Sequence, residues 1–136
     1  RLFLDANVLF AACQNPEGRA AALFALAEKG LVGLVTSPHA VEEARRNLEA
    51  DYPHSLKRLD YLRAVARLVS EADAQSLAWA MEQGVPLKDA PILAAAVDAQ
   101  VDGLVTGDKA HFGHLFGKTV GGVKVLRLAD ALNLLL

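Results

Sequence analysis

Short apolar segments alternate along the chain with longer segments of helical periodicity. The apolar segments predict strands over Leu2–Leu4, Leu31–Thr36, Gly103–Thr106 and Val123–Leu128. Helices are predicted over Val8–Ala12, Arg19–Lys29, Pro38–Asp51, His54–Arg67, Asp73–Gln83, Asp89–Gln100, Lys109–Phe116 and from Ala129 onward. Because buried strands that alternate with helices form parallel sheets covered on both faces, the pattern predicts an α/β fold.

Turn and cap residues fall between these segments. Gly30 stops the second helix, and Ser37 followed by Pro38 has the residue types of an N-cap and a first helical turn. Tyr52-Pro53 ends the helix that begins at Pro38, since the residue before a proline disfavours helical backbone. The apolar C-terminal residues are expected to dock on the sheet, with a subunit interface as the alternative.

Length and composition are those of a compact globular protein. The 136 residues are 53% hydrophobic and 22% charged, and no repeat or linker divides them, so we expect one domain over residues 1–136. No apolar run reaches the roughly 18 residues that a membrane span needs. The lone Cys13 excludes an internal disulfide framework and fits a reducing compartment, so a cytoplasmic location is expected.

Four acidic residues lie at junctions where the hydrophobic pattern changes: Asp5, Glu43, Asp89 and Asp108. If a parallel sheet brings them to its carboxyl edge, their mutual repulsion requires bound cations. Taken one at a time, Asp5, Asp89 and Asp108 have a simpler explanation as helix N-caps. The net charge of −2 permits a polyanionic partner, because two divalent ions would bring it to +2.

The helical register distinguishes some of these acids from surface residues. Asp89 is in line with the apolar stripe formed by Ile92, Leu93, Ala96 and Val97. Glu43 lies at the edge of the stripe of its own helix and Glu42 points further away, so Glu43 is the better candidate for an inward acid. A solvated helix face shared with Glu42 is the alternative for Glu43.

Carboxylates are hard oxygen ligands that suit Mg²⁺ or Mn²⁺, and such a site can activate water as a nucleophile. His111 and His114 follow Asp108 closely, which leaves a zinc or histidine-assisted site as an alternative. Their i, i+3 spacing on a short helix is more typical of a polar face. Cys13 is interpreted as a buried small hydrophobe, and Trp79 and Phe112 as core residues.

Four segments in order resemble the motifs of PIN domains, a family of metal-dependent nucleases. The segments are Leu2–Leu9, Ser37–Ala44, Asp89–Ala96 and Leu104–Asp108, and they span most of the chain. The resemblance implies a three-layer α/β/α fold with a central parallel sheet of four to five strands. It also implies that Asp5, Glu43, Asp89 and Asp108 are catalytic and hold one or two Mg²⁺ or Mn²⁺ ions. Asn7 and Thr106 fall at polar positions that support the acids.

The resemblance further implies hydrolysis of phosphodiester bonds in single-stranded RNA, in some members as the toxin of a toxin–antitoxin pair. An antitoxin that blocks the acidic pocket and a homodimer or higher oligomer are then expected partners. Arg45 and Lys109 are candidate phosphate contacts. Many members carry a further acid after the fourth motif, where this chain has Lys109–Phe112, so a weaker second metal site is expected.

Two other functions stay open on the sequence. A non-catalytic PIN-like module that binds RNA is compatible with the missing further acid. A receiver-type phosphoacceptor domain also has an acidic α/β pocket that binds Mg²⁺. That class of domain has an acidic pair just after the first strand, whereas Asp5 is followed by Ala6.

Overall fold

A six-stranded sheet forms the centre of the protein in a computed structural model that describes all residues 1–136. Its strands are β1 (Leu2–Leu4), β2 (Leu34–Thr36), β3 (Arg67–Leu68), β4 (Gly103–Val105), β5 (Thr119–Val120) and β6 (Val123–Leu126). Their order across the sheet is β3-β2-β1-β4-β6-β5, and every neighbouring pair is parallel except β5 and β6. The doubly wound order places β1 and β4 at the middle, so their carboxyl ends meet at one edge.

Eight α-helices flank the sheet: α1 (Ala6–Gln14), α2 (Arg19–Glu28), α3 (Pro38–Asp51), α4 (Leu56–Val65), α5 (Ala74–Met81), α6 (Ala90–Asp98), α7 (Lys109–Phe112) and α8 (Leu128–Leu135). Helix α1 packs against α2, α3 and α4, while α5 packs against α6. This arrangement confirms the predicted three-layer α/β fold. None of the helices combines the length and apolarity that crossing a membrane requires.

The predicted start of α3 is confirmed in detail. The Ser37 Oγ accepts a hydrogen bond from the Ala40 N–H at 3.2 Å, and Pro38 occupies the first turn. The helix ends at Asp51, with Tyr52 as its C-cap directly before Pro53, as the proline rule requires. These caps fix the length of the helix that carries Glu43.

The core is continuous and dominated by aliphatic side chains. All three residues of β1, β2 and β4 are buried, and Ile92–Ala96 of α6 is almost wholly inaccessible to solvent. Phe112 and Cys13 are buried as predicted, and Trp79 packs against the core while half-buried. Small alanines let α6 approach the sheet closely, which brings its N-terminal residue Asp89 to the sheet edge.

The bounds of several elements differ from the sequence prediction. The sheet has six strands instead of four to five, because β3 and β5 are two-residue edge strands too short to give a hydrophobic pattern. The helix predicted over His54–Arg67 stops at Val65, and Arg67 enters β3 beside Val35. The second strand begins at Leu34 and not at Leu31. Pairing with neighbouring strands decided these boundaries, and local sequence does not encode pairing. The helix predicted over Lys109–Phe116 stops at Phe112 and is followed by a 3₁₀ turn, and the strand predicted over Val123–Leu128 ends at Leu126 because α8 already begins at Leu128.

The C-terminal helix docks on the body of the protein, as predicted. Helix α8 contacts α2 and β6, and Ala131 and Leu132 are buried. Leu134 and Leu136 stay exposed at 66% and 87%. A subunit interface therefore stays a prediction for this end of the chain.

Gly103 lies where three elements meet, and this yields a stability prediction. A methyl group added there would sit 2.9 Å from Leu126 Cδ1 and 3.0 Å from Leu2 Cδ2. Overpacking of this kind typically costs about 1–3 kcal/mol, so Gly103→Ala should lower the free energy of unfolding by that amount in urea denaturation.

Gly113→Ala is the matched control for that substitution. Gly113 has helical backbone angles, and its added methyl would meet only the flexible Lys109 side chain at 3.4 Å. Its stability should be unchanged or higher by up to about 1 kcal/mol. Equal destabilisation by the two substitutions would contradict the packing explanation.

Candidate metal centre

Asp5 is fixed at the end of the central strand by backbone and side-chain hydrogen bonds. Its N–H donates to the Val105 carbonyl at 3.0 Å, which ties it to β4. Its Oδ1 accepts from the Ala6 N–H at 2.7 Å, and its Oδ2 accepts from the Thr106 hydroxyl at 2.8 Å. With 2% of the residue exposed, Asp5 is a buried carboxylate with a single orientation.

Thr106 and Asn7 connect the first and fourth motifs. The Thr106 hydroxyl accepts from Asn7 Nδ2 at 3.2 Å and from the Asp108 N–H at 3.1 Å. Asn7 Nδ2 also lies 3.2 Å from Asp5 Oδ2, and its Oδ1 accepts from the Gly107 N–H at 2.8 Å. These hydrogen bonds hold the Asp5 carboxylate and the Asp108 backbone in place, and the supporting role of Asn7 and Thr106 stays a prediction.

Asp89 differs from the other acids because its side chain caps nothing. It precedes α6, yet its carboxylate makes no capping hydrogen bond and its backbone angles are helical. Only 4% of the residue is exposed, and Asp89 Oδ2 is a buried oxygen without a hydrogen-bond partner. Capping, which was the simpler explanation for this residue, does not account for its position.

Asp108 begins α7 and does act as a cap. Its Oδ1 accepts from the His111 N–H at 3.0 Å. The His111 imidazole then folds back, so that its Nδ1 lies 2.7 Å from Asp108 Oδ2 and 2.8 Å from Asp89 Oδ2. The two acids and the histidine present one ligand atom each within 4.8 Å of one another.

Glu43 completes the cleft from the opposite wall. Together with Asp5, Asp89 and Asp108 it lines a cleft of about 280 Å³ between α1, α3 and the end of β4. Glu42 is exposed and pairs with Arg45 instead, at 2.7 Å. The four acids singled out in the sequence thus line one cleft.

Four further residues line the same cleft and were not found from the sequence: Phe10, Asn47, Asp51 and Lys88. Asn47 and Asp51 follow Glu43 at intervals of four along α3, so they extend its face of the helix. That spacing was the signal available in the sequence. Lys88 was adjacent to Asp89 but lay outside every predicted element.

Neither candidate phosphate contact lines the cleft. The Arg45 guanidinium is held by Glu42 and Glu49, at 2.7 and 2.5 Å. Lys109 is exposed at the first position of α7. A role for either in substrate binding stays an expectation, whereas Lys88 is the basic residue that the structure places among the acids.

Burial and mutual repulsion raise the pKa of two of the acids. Burial raises the pKa of Asp5 to about 6, against the hydrogen bonds from Thr106 and Ala6, and the charges of Asp89 and Glu43 raise it further. Burial also raises the pKa of Asp89, while His111 and Lys88 oppose that effect. The cleft is therefore a region of unbalanced negative charge, and a cation placed there would stabilise it.

The residues present suit a hard divalent cation. Carboxylate oxygens are the ligands that Mg²⁺ and Mn²⁺ prefer, and the cleft is wide enough to leave room for metal-bound water. Asp89 Oδ2 is buried and has no hydrogen-bond partner, so it is free to bind a cation. Asp89 and Asp108 present carboxylate oxygens close to one another, and Asp5 and Glu43 line the same cleft.

Fold and cleft together define the class of protein: a doubly wound α/β domain with an acidic centre at the carboxyl edge of its sheet. A family model described as a PIN domain matches residues 1–110. The chain belongs to the PIN domain family. No curated protein matches the sequence significantly.

Solved structures share this fold at low sequence identity. VapC20 of Mycobacterium tuberculosis, described as a Sarcin-Ricin loop cleaving toxin, has 18% identity and a TM-score of 0.60 over 81% of this chain and 92% of that one. VapBC2 from Rickettsia felis, bound to a DNA fragment from its promoter, has 14% identity and a TM-score of 0.67 over 93% and 97%. VapBC-1 from nontypeable Haemophilus influenzae has 17% identity and a TM-score of 0.63 over 94% and 98%.

The raised pKa of Asp5 gives a pH prediction for the metal-free protein. An unfolded aspartate titrates near 3.8 and Asp5 in the folded protein near 6, so the folded state holds an extra proton between these values. The contribution of protonated Asp5 to the unfolding free energy is therefore complete below the unfolded-state pKa of 3.8. It is lost as the pH rises through the folded-state pKa of about 6. In urea denaturation with a chelator, this should lower the unfolding free energy by about 1 kcal/mol between about pH 5 and pH 7.

Asp5→Asn removes this titration and should show a smaller decrease over the same interval. The quantity compared is the change in unfolding free energy between the two pH values within each protein. A hydrogen bond altered by the amide affects both pH values equally, so its contribution cancels. Any decrease in unfolding free energy that remains in Asp5→Asn would come from the titration of Asp89 and the other acids. Identical decreases in the two proteins would contradict the burial of a protonated Asp5.

Thr106→Val tests the hydroxyl group that links Asp5 to Asp108 through hydrogen bonds. The substitution leaves the Asp108 N–H without its acceptor and removes a donor from Asp5. We expect a loss of about 1–3 kcal/mol in unfolding free energy and weaker binding of Mn²⁺ by calorimetry.

Thr36→Val is the matched control for that substitution. The Thr36 hydroxyl is also fully buried, but it donates only to the Leu4 carbonyl at 2.9 Å and touches no acid. It should lower stability without changing Mn²⁺ affinity. Equal effects of both substitutions on Mn²⁺ binding would show that Thr106 has no special role in the centre.

Proposed function

We propose that this protein is a metal-dependent endoribonuclease that hydrolyses phosphodiester bonds of single-stranded RNA. The observation that carries the proposal is the convergence of Asp5, Glu43, Asp89 and Asp108 on one cleft at the sheet edge. Membership of the PIN domain family supports nuclease chemistry. The fold shared with VapC20, described as a cleaving toxin, supports a role as the toxin of a toxin–antitoxin pair.

Mg²⁺ or Mn²⁺, as one or two ions, is the cofactor that the cleft would hold. When bound, such an ion activates water and stabilises the charge that develops on the phosphate oxygens. Asp5 is oriented for this task by Thr106 and the Ala6 N–H, and Asp89 by its place at the end of a buried helix. Preorganised ligands of this kind avoid reorganisation during the reaction.

The remaining cleft residues suit an RNA strand. Lys88 supplies a positive charge beside the acids, where a phosphate can pair with it. Phe10 is the aromatic residue of the cleft, and its ring is held edge-on by Tyr52 at a centroid distance of 5.7 Å. Aromatic rings at such sites accept unstacked bases with little sequence preference, which fits a single-stranded substrate.

An antitoxin is the proposed protein partner, since the VapBC structures that share this fold are antitoxin–toxin complexes. The proposed toxin acts in the cytoplasm, where its RNA substrate is found. A homodimer or higher oligomer is proposed from the family resemblance and the exposed leucines of α8.

The test is an RNA cleavage assay on the purified chain with Mg²⁺ or Mn²⁺. Asp89→Asn and Glu43→Gln should each lower the cleavage rate by about 100-fold or more, because each removes a charge that faces the ion. Glu42→Gln is the matched control, since Glu42 lies beside Glu43 on α3 but points away from the cleft. Its cleavage rate should stay within about twofold of the unmodified chain.

Circular dichroism of each variant would exclude a loss of folding as the cause. Binding of RNA without cleavage under every divalent metal would reject the enzymatic function and select a non-catalytic RNA-binding module. Retained cleavage in both Asp89→Asn and Glu43→Gln would reject the site.

A further inference from the structure

His111 is the residue of the cleft region that the acidic centre does not explain. Its Nδ1 is a buried nitrogen without a hydrogen-bond partner, although two carboxylate oxygens lie within 2.8 Å. The nitrogen is therefore close to both acids without being hydrogen-bonded to either.

The second unsatisfied atom of the protein lies at the same place. Asp89 Oδ2 is the only other buried side-chain polar atom without a partner, and it is one of the two oxygens beside His111. The Asp89 side chain is 5% exposed, so water does not solvate it freely. Two buried polar atoms without hydrogen bonds thus lie side by side, and a cation bound by both would satisfy them.

The spacing of the three atoms fits ligands of one ion. Neighbouring ligands about 2.1 Å from an octahedral metal are about 3.0 Å apart, because they subtend a right angle at the ion. The His111 nitrogen lies 2.8 and 2.7 Å from its two oxygens, and the three ligand atoms are all within 4.8 Å of one another. A small outward movement of the three side chains would make room for a cation between their ligand atoms.

We propose that His111 supplies a nitrogen ligand to the metal ion of this centre, together with Asp89 and Asp108. This inference rests on the proposed metal-dependent function, but it concerns which atoms bind the ion and which ions bind best.

The consequence is a preference for transition metals over Mg²⁺. Imidazole is a softer ligand than carboxylate and suits Fe²⁺, Ni²⁺ and Zn²⁺ best. Mn²⁺ prefers oxygen ligands but, as a transition metal, accepts an imidazole more readily than Mg²⁺ does. Nδ1 must be unprotonated to bind, which leaves the proton on Nε2 at the exposed side of the ring, where 31% of the side chain is accessible. The centre would then be selective even though most of its ligands are carboxylates.

The test uses the whole chain, stripped of metal and titrated with Mn²⁺ and with Mg²⁺ by calorimetry. Mn²⁺ should bind at least tenfold more tightly than Mg²⁺, and His111→Ala should lower Mn²⁺ affinity by roughly tenfold or more with little change for Mg²⁺. His114→Ala is the matched control, because His114 is exposed and its Nε2 lies 3.0 Å from the Gln83 carbonyl, away from the acids. It should leave both affinities unchanged.

Pulsed electron paramagnetic resonance of the bound Mn²⁺ gives a direct readout that needs no folded variant. The unmodified chain should show a nitrogen coupling, which changes on labelling with ¹⁵N-histidine and is absent in His111→Ala. Absence of the coupling in the unmodified chain, or its persistence in His111→Ala, would overturn the inference. So would a rise in Mn²⁺ affinity in His111→Ala, which would show that an imidazolium merely neutralises the two acids.

These outcomes separate the inference from the proposed function. Metal-dependent RNA cleavage without nitrogen coupling would overturn the ligand role of His111 and leave the ribonuclease intact. Nitrogen coupling without cleavage of any RNA would support the ligand role and reject the enzymatic function. Failure of the chain to bind Mn²⁺ would reject both.

Discussion

Carboxylates crowded into a cleft repel one another, and this protein holds them together by anchoring their backbones to the carboxyl edge of a parallel sheet. Asp5 follows β1, Asp108 follows β4 by a short turn, and Asp89 is carried to the same edge by the fully buried α6. Burial, with a smaller contribution from the charges of Asp89 and Glu43, raises the pKa of Asp5 to about 6. The packing of the core supplies the free energy that offsets the repulsion.

The acids of the cleft are held in two different ways. Asp5 is satisfied by Ala6 and Thr106 and has a fixed orientation before any ion binds. Asp89 is buried without a partner for its Oδ2, so its position makes chemical sense only with a further component. The cleft therefore combines a carboxylate whose hydrogen bonds are complete with one whose buried oxygen has no hydrogen-bond partner.

Much of this architecture could be predicted from local sequence. The central strands, the capped start of α3 and the choice of Glu43 over Glu42 followed from periodicity and cap chemistry, because these are properties of a few neighbouring residues. The edge strands β3 and β5 could not be predicted, since two residues that are not buried acquire strand geometry only from a partner strand. Asp51 was not identified as a cleft residue from the sequence. The register of its helix was predicted, but the elements that face this helix across the cleft were not.

By itself the sequence determined the order of the helices and central strands, the family and the four acids at their junctions, since each depends on short-range pattern. Only the tertiary structure decided that Asp89 caps nothing and that His111 turns its nitrogen toward two carboxylates. Residues 89 and 111 meet through the packing of α6 against the end of β4, and no spacing along the chain encodes that contact. Which side-chain atoms lie close together depends on the tertiary structure, even though most of the residues that carry them can be identified from the amino-acid sequence.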